Sequence, residues 1–360
     1  MTSNLINPQR ISIRPPAVAG TFYPDDAVQL DTMLDMFFDK NNITTNPPKA
    51  IIAPHAGYIY SGPIAASIYS NIASLKHKIK RVVLLGPAHR VYVKGIALAK
   101  KTHFATPLGN VALDTVVLNQ LTNHPYVEVI DNAHEQEHSL EVHIPFLQKV
   151  LNEFTLIPLL VGDAEPEQVA AILNKLWGGE ETLIVISSDL SHYLDYETAC
   201  KTDKNTTQLI EQFDYKRIGP KQACGCMPIR GLLKLAKQKN LTLETLDLRN
   251  SGDTAGSKDR VVGYGAYALF ENHILNEQDK KKVFDVIHKS IQHGLETGKA
   301  YQLEMANYAD KLICEYAVFI TLKINGQLRG CIGTTEAHMP LIKAVAHYAH
   351  AAAFSDPRFP

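Results

Sequence analysis

Short apolar runs that each end abruptly in glycine, proline or serine constrain the fold of this chain most strongly. Their content of Ile, Val and Leu is typical of buried β-strands. The clearest such runs are residues 49–54, 81–87, 154–162 and 181–188. The helix-like segments that separate them are 63–75, 111–123, 139–152 and 166–176. This alternation predicts an α/β domain with a mostly parallel sheet that is flanked by helices.

The last quarter of the chain has a different pattern. The polar stretch "NEQDKKK" at 276–282 predicts a linker, and a helix is expected at about 282–295. The following "KINGQL" places Asn-Gly between two β-like runs, which is the strongest short signal for a hairpin. We therefore expect a first domain at 10–275 and a smaller α+β domain at 283–360. The run at 260–270 alternates more than the other strands, which predicts a position near a sheet edge.

Composition limits the classes of partner and compartment. The formal net charge of the 360-residue chain is −1, so nothing indicates binding to nucleic acid or to an anionic membrane. The five cysteines are scattered without a CxxC pair, which favours a reducing compartment over a disulfide framework. The N-terminus lacks the layout of a signal peptide, and the apolar runs are shorter than the ~18 residues of a membrane span. The sequence thus predicts a cytoplasmic protein.

Ionisable residues follow three of the predicted strands. His55 comes just after 49–54, His89 after 81–87, and Asp189 with His192 after 181–188. Parallel strands present their carboxyl ends at one edge of a sheet, where ligands bind. Two imidazoles with a third donor would suit Fe, Cu, Zn or Ni, and spacing leaves that third donor open between Asp189 and Cys224. The alternative is a purely structural role, in which each histidine is a hydrogen-bonded residue of the fold and Cys224 is a small buried apolar residue.

Other motifs are weaker. In "EQEHSLEVHIPFLQKVL", His138 and Glu141 share one face of a predicted helix, which suggests a pocket wall, while His143 points elsewhere. The Gly252–Gly256 loop lacks the spacing of a phosphate-binding motif, and no G-x-S-x-G nucleophile elbow is present.

Seven motifs, in order, resemble the Memo family, whose prokaryotic members are also called AmmeMemoRadiSam system protein B. The resemblance covers about 10–272. The motifs are "RPPAVAGTFYP", "APHAGYIYSGPIAA", "LLGPAHR", "EHSLEVHIPFLQ", "SSDLSHY", "ACGCMPI" and "SGDTAGSKDRVVGYGAYAL". Downstream, "AVFITLKINGQLRGCIGT" and "AAAFSDPRFP" resemble the AMMECR-type domain, the system's protein A. That domain would normally continue past "DPRFP", so the resemblance implies a partial second domain.

The resemblance implies a fold similar to the class III, non-haem Fe(II) extradiol dioxygenases of the LigB type. It implies His55, His89 and Cys224 as metal ligands, with Asp189 and His192 as the remaining catalytic positions and His192 as the acid/base. The dioxygenases have a carboxylate where this chain has Cys224. Because a thiolate is a softer ligand, copper, zinc or a more electron-rich iron is favoured, and dioxygenase activity does not follow from the fold.

Two functions are compatible with these residues. The first is a redox enzyme, with iron as the expected metal, that acts with a radical-SAM partner on an unknown small molecule or peptide. The second is a non-catalytic module that uses the metal site to bind a peptide or protein. Tyr58, Tyr60 and Tyr193 beside the predicted site would suit either function. Cys331 in "LRGCIG" could be a nucleophile, although packing is the simpler role for it.

Overall fold

The chain divides into two units, Met1–Asn272 and His273–Pro360. The computed structural model describes residues 10–39, 47–271, 275 and 277–359. The first nine residues, on which the signal-peptide prediction depends, lie outside the described ranges. Within those ranges, no helix is both long and apolar enough to cross a lipid bilayer.

The N-terminal unit alternates strands and helices. Its strands are β1 Ile13–Arg14, β2 Ala50–Ala53, β3 Arg81–Pro87, β4 Ile96–Leu98, β5 His103–Thr106, β6 Gly109–Ala112, β7 Val127–Val129, β8 Thr155–Val161, β9 Thr182–Ser187, β10 His192–Leu194, β11 Thr242–Asn250 and β12 Val261–Phe270. Its helices are α1 Ala27–Phe38, α2 Tyr58–Tyr69, α3 Thr115–Leu121, α4 Asp131–Glu135, α5 His143–Val150, α6 Pro166–Lys175, α7 Tyr196–Glu211 and α8 Cys226–Lys239.

A mixed sheet is the centre of this unit. Its strands follow the order β10-β12-β2-β9-β3-β8-β4-β7, and β11 also pairs with β12. The four strands β2, β9, β3 and β8 run parallel to one another, as predicted from their apolar runs. They are almost completely buried, which explains why they lack the alternating pattern of a half-exposed strand. The flanking strands β12 and β4 run antiparallel to this centre, so the sheet is mixed rather than mostly parallel.

The run at 260–270 lies near one end of the sheet, as predicted, although it is not the edge strand itself. Strand β12 is interior, because it pairs with β2 on one side and with β10 and β11 on the other. Its alternation comes from small residues rather than exposed ones. Gly263 packs on Asp203, and Gly265 packs on Tyr267, so closely that a Cβ at either position would overlap these side chains.

Segment 139–152 shows how the predicted helices differ from the observed ones. The helix begins only at His143, and residues 139–142 form turns. Helix α6 agrees closely with the prediction, because Glu165 and Gln168 form a capping box and Pro166 lies at the first turn. Helix α2 begins at Tyr58, earlier than predicted, and continues as a 3₁₀ turn at Ser70–Leu75.

A buried ion pair fixes the N-terminal segment to the unit. Arg14 on β1 pairs with Glu141, and both side chains are at most 1% exposed. Glu141 also accepts hydrogen bonds from the amides of Ala17 (2.7 Å) and Val18 (3.0 Å) and from the hydroxyl of Tyr23 (2.5 Å). Every oxygen of this carboxylate therefore has a partner, which is the condition under which a buried charge is tolerated.

In its described residues, the C-terminal unit consists of three α-helices and one β-hairpin, with a short 3₁₀ turn. Its helices are α9 Glu277–Thr297, α10 Asp310–Ile313 and α11 Leu341–Phe354, and its strands are β13 Phe319–Ile324 and β14 Gln327–Gly333. Asn325 and Gly326 join the strands with φ values of 52° and 81°, so the predicted Asn-Gly hairpin is confirmed. The buried faces of α9 and α11, together with Val318 and Ile320, form a separate apolar core.

The predicted linker at 276–282 is mostly helical in the structure. Residue 276 lies outside the described ranges, and α9 begins at Glu277. The charged residues of this stretch occupy the first turns of a helix. There the negative charges of Glu277 and Asp279 interact favourably with the positive end of the helix dipole.

We predict that Glu141→Ala will lower the free energy of unfolding of the N-terminal unit by about 3–5 kcal/mol, because it leaves the Arg14 charge buried without a partner. Urea unfolding followed by the fluorescence of Trp177 measures this, since Trp177 is the single tryptophan of the chain and is 5% exposed in this unit.

The matched control is Glu180→Ala, which removes an exposed ion pair with Lys78 whose side chains are 81% and 61% exposed. This change should stay within about 1 kcal/mol. Equal losses in the two variants would contradict the structural role assigned to the buried pair.

Candidate metal centre

Three neighbouring strands bring their following residues to one edge of the sheet. Strand β9 lies between β2 and β3, and all three run parallel. His55, His89 and Asp189 are each the second residue after their strand, which places them side by side. The arrangement expected from the strand-end pattern is therefore present in the structure.

Three imidazoles meet at this edge. One ring nitrogen from each of His55, His89 and His138 lies within 4.8 Å of the others, close enough to hold a metal ion. The rings of His89 and His138 stack with centroids 4.7 Å apart, and the ring of His55 stands edge-on to both, at 5.2 and 5.4 Å. His55 is buried and His89 is exposed, so the cluster is accessible to solvent on the side of His89.

A hydrogen-bond chain fixes the tautomer of His55. Its Nδ1 lies 2.6 Å from the hydroxyl oxygen of Ser187, and that hydroxyl donates to the carbonyl of Ser139 at 2.6 Å. The hydroxyl proton of Ser187 is therefore engaged by the carbonyl of Ser139, so Nδ1 of His55 must donate its proton to the Ser187 oxygen. Burial and the neighbouring histidines lower the pKa of His55, so the ring is neutral and its Nε2 presents a lone pair.

Glu137 orients His89 in the same way. His89 Nδ1 lies 2.9 Å from one oxygen of Glu137, and the amide of His89 donates to the other oxygen at 2.5 Å. The amides of His138 and Ser139 also donate to Glu137, at 3.0 Å each. Burial alone would raise the pKa of this carboxyl, but these hydrogen bonds lower it to about 2. An ionised Glu137 thus accepts a hydrogen bond from Nδ1–H of His89, which leaves Nε2 as the ring nitrogen available to a metal.

His138 completes the cluster from a turn rather than from a strand end. Its Nδ1 is buried 3.3 Å from Glu137 yet makes no hydrogen bond in the described part of the chain. Burial lowers the pKa of His138 to about 4, so this ring is also neutral. A buried polar atom without a partner costs free energy, and ligation of a metal through this Nδ1 would recover it. The three converging imidazole rings therefore fit a transition metal.

Cys224 adjoins the cluster through His55. Its Sγ lies 3.3 Å from His55 Nε2 and accepts from the amide of Asp189 at 3.3 Å. The following Gly225 allows this approach, because a Cβ there would lie 2.5 Å from the carbonyl oxygen of Ser187. Burial, and then the charge of Asp189, raise the pKa of the Cys224 thiol, so the thiol is protonated on its own, and a bound metal would have to displace that proton.

Asp189 and His192 lie beside the cluster. The buried Asp189 carboxylate accepts from the amide of His55 at 2.8 Å, and burial raises its pKa to about 6. His192 begins β10 and is half-buried. Its Nδ1 lies 2.8 Å from the carbonyl oxygen of Leu190, which makes Nδ1 the donor and leaves Nε2 to accept a proton from a ligand.

Two residues predicted for the pocket lie elsewhere. Tyr58 is fully buried against Tyr23 and Phe146, and its hydroxyl donates to the Val142 carbonyl at 2.8 Å, so it is a core residue. Glu141 holds the N-terminal segment, as described above, so it is an anchor and not a pocket residue.

Tyr193 and Tyr264 add aromatic groups near this edge. Tyr193 is 64% exposed and has a φ of 59°, in the left-handed region that non-glycine residues rarely adopt. Burial raises the pKa of the Tyr264 hydroxyl, and the nearby Asp189 raises it further. The sequence did not predict roles for Tyr264, Ser187 and Glu137. Of these, only Glu137 could have been suspected, because it directly precedes the candidate His138.

A family model for Memo-like protein matches residues 14–268. The chain belongs to the Memo family. Among curated relatives, a MEMO1 family protein of Aquifex aeolicus is 37% identical over 263 residues, covering 70% of this chain and 97% of the relative. A MEMO1 family protein of Saccharolobus solfataricus is 34% identical over 276 residues, with the same coverage.

A second family model, AMMECR1, matches residues 284–360, so a Memo domain precedes an AMMECR1 domain in one chain. Among solved structures, the uncharacterized protein PH0010 from Pyrococcus horikoshii is 30% identical, with a TM-score of 0.23. That match covers 25% of this chain and 45% of the solved chain, so this chain spans less than half of it.

We predict that Glu137→Gln in the Memo domain will weaken zinc binding by about 10- to 100-fold, because the amide no longer fixes the ring of His89 as a carboxylate does. Titration of the purified protein against a chromophoric chelator measures the affinity. Glu135→Gln is the control, since Glu135 is exposed and only two residues away. Unchanged affinity in both variants would show that Glu137 does not support the site.

Proposed function

We propose that the Memo domain binds a transition metal through His55, His89 and His138, with Cys224 as a further donor. The observation that carries this proposal is the meeting of three imidazoles at one strand edge, one ring nitrogen from each lying within 4.8 Å of the others. The third ligand expected from the family resemblance was Cys224. The geometry favours adding His138 to that set, because a nitrogen of its ring lies within 4.8 Å of those of His55 and His89. Cys224 stays a further donor, since its Sγ lies 3.3 Å from His55 Nε2.

We propose iron(II) as the native metal, with copper and zinc as alternatives that the same donors accept. The resemblance to class III extradiol dioxygenases supports iron, and the thiol of Cys224 supports the softer metals. A bound iron would supply redox chemistry and a Lewis acid at this edge.

The residues around the cluster suit a redox enzyme better than an inert metal store. His192 presents Nε2 as a proton acceptor, since its Nδ1 proton is committed to Leu190. Asp189 holds the backbone of His55 in place and supplies a buried negative charge beside His192. We therefore propose oxidation of an organic substrate by dioxygen, with His192 moving a proton at Nε2. A radical-SAM protein is the proposed partner, supported by the pairing of Memo and AMMECR1 domains in one chain.

We predict near-stoichiometric metal in anaerobically purified protein and its loss in His55→Ala, His89→Ala and His138→Ala, because each removes one of the converging nitrogens. His192→Ala should retain the metal, since its ring is outside the three-histidine cluster. Elemental analysis by mass spectrometry provides the measurement. Absence of metal in the wild type, before and after reconstitution, would refute the proposal.

Cobalt(II) substitution tests the role of Cys224. A cysteine ligand gives an intense sulfur-to-cobalt absorption in the near ultraviolet, which Cys224→Ser should abolish while the protein still binds cobalt. Cys226→Ser is the matched control, because Cys226 is the buried first residue of α8 and contacts the apolar core. A cobalt spectrum without that absorption in the wild type would reduce the ligand set to the three histidines.

We predict that Fe(II)-loaded protein will consume oxygen with at least one member of a panel of phenols and catechols, and that His192→Ala will lose this activity while keeping its iron. An oxygen electrode and the metal content of the same samples provide the two readouts. Equal oxygen uptake by His192→Ala and the wild type would remove His192 from the mechanism. Full iron with no uptake across the panel would favour the non-catalytic binding module.

A further inference from the structure

An exposed aromatic ring projects from the strand that carries His192. Strand β10 pairs with β12 through His192 and Leu194, and the register shifts between them, so Tyr193 is the bulged residue. Its φ of 59° and its 64% exposure place the ring outside the sheet. The ring still contacts the site, because its centroid lies 5.8 Å from that of His192. Bulges of this kind commonly re-aim a side chain beside an active site.

A guanidinium covers this ring. The Cζ of Arg260 lies 5.2 Å from the centroid of Tyr193. Arg260 directly precedes β12, so the same strand pair that creates the bulge also positions the cation. Within the described residues, the contact that fixes Arg260 is this stacking rather than an ion pair with a carboxylate, and Arg260 is exposed. Its planar fork of N–H donors is therefore available to an external anion.

The charges around the site orient such a ligand. Asp189 is a buried carboxylate on the inner side, and its charge acts on the hydroxyl of Tyr264, as do Tyr60 and Tyr193. An anionic group would be repelled from the inner side and attracted to Arg260 at the rim. The uncharged end of the same molecule would then face His192.

We infer that Arg260 and Tyr193 form a subsite that binds the carboxylate of an aromatic substrate, with the hydroxyl-bearing end of that substrate directed at His192. The inference rests on the proposed function, because it assigns a substrate class to the same site. Arg260 supplies the charge and the paired N–H donors, and the part of the Tyr193 ring that Arg260 leaves exposed supplies an apolar contact for the substrate ring.

The test compares two probes of the same size. 4-Hydroxybenzoate carries the carboxylate, and 4-hydroxybenzamide replaces it with a neutral amide. We expect the full-length, metal-reconstituted protein to bind the benzoate about tenfold more tightly, the effect of one charge-assisted hydrogen-bonded contact. Isothermal titration calorimetry measures both affinities. Arg260→Gln should abolish the preference, and Arg260→Lys should restore part of it.

Lys258→Gln is the matched control. Lys258 is a cation two residues away that stacks on Tyr196 with its Nζ 4.4 Å from the ring centroid, so its removal should leave the preference intact. Equal affinity for the two probes in the wild type, no binding of the benzoate at millimolar concentration, or equal loss in Lys258→Gln and Arg260→Gln would each overturn the inference.

Metal analysis of the same samples separates this inference from the proposed function. Arg260 is outside the metal cluster, so Arg260→Gln should keep the full metal content. Bound metal with no preference between the probes would refute the subsite alone. Absence of metal in every sample would refute the proposed function, and with it the substrate assignment that rests on it.

Discussion

The parallel register of β2, β9 and β3 is the constraint on which the site depends. Because β9 lies between the other two, its last residue, Ser187, contacts the ring of His55. Two residues later, the carboxylate of Asp189 accepts a hydrogen bond from the amide of His55. The close approach of Gly225 then adds Cys224 to this edge. A shift of one residue in this pairing would reverse the side-chain directions and separate these groups.

The sequence predicted this edge well because the signal was local. Buried strands without alternation, each closed by Gly, Pro or Ser, indicate a parallel sheet, and residues just past such strands must share an edge. His138 did not follow that rule. It reaches the cluster from a turn whose position depends on the hydrogen bonds of Glu137 to His89, a contact between segments about fifty residues apart. Periodicity carries no information on such a contact.

Motif residues near a site are not all part of its chemistry. Tyr58 and Glu141 stand within the same motifs as His55 and His138, yet one packs in the core and the other binds Arg14. Both therefore act by fixing the segments that carry the histidines. Spacing alone could not separate these roles, because a fully buried and a pocket-lining side chain can occupy neighbouring positions in one motif. The mixed character of the sheet escaped prediction for a similar reason, since strand direction at β12 and β4 depends on pairing and not on composition.

The bulge at Tyr193 also affects the exposed end of the sheet. Strand β10 is three residues long and stands at one end of the strand order, where free backbone groups could recruit a strand from another molecule. The left-handed backbone of Tyr193 interrupts its ladder, and the cation of Arg260 lies beside it. Both features discourage edge-to-edge pairing. Replacing this bulge with a regular strand would therefore favour aggregation, because it would expose a continuous edge strand, in addition to altering the site beside it.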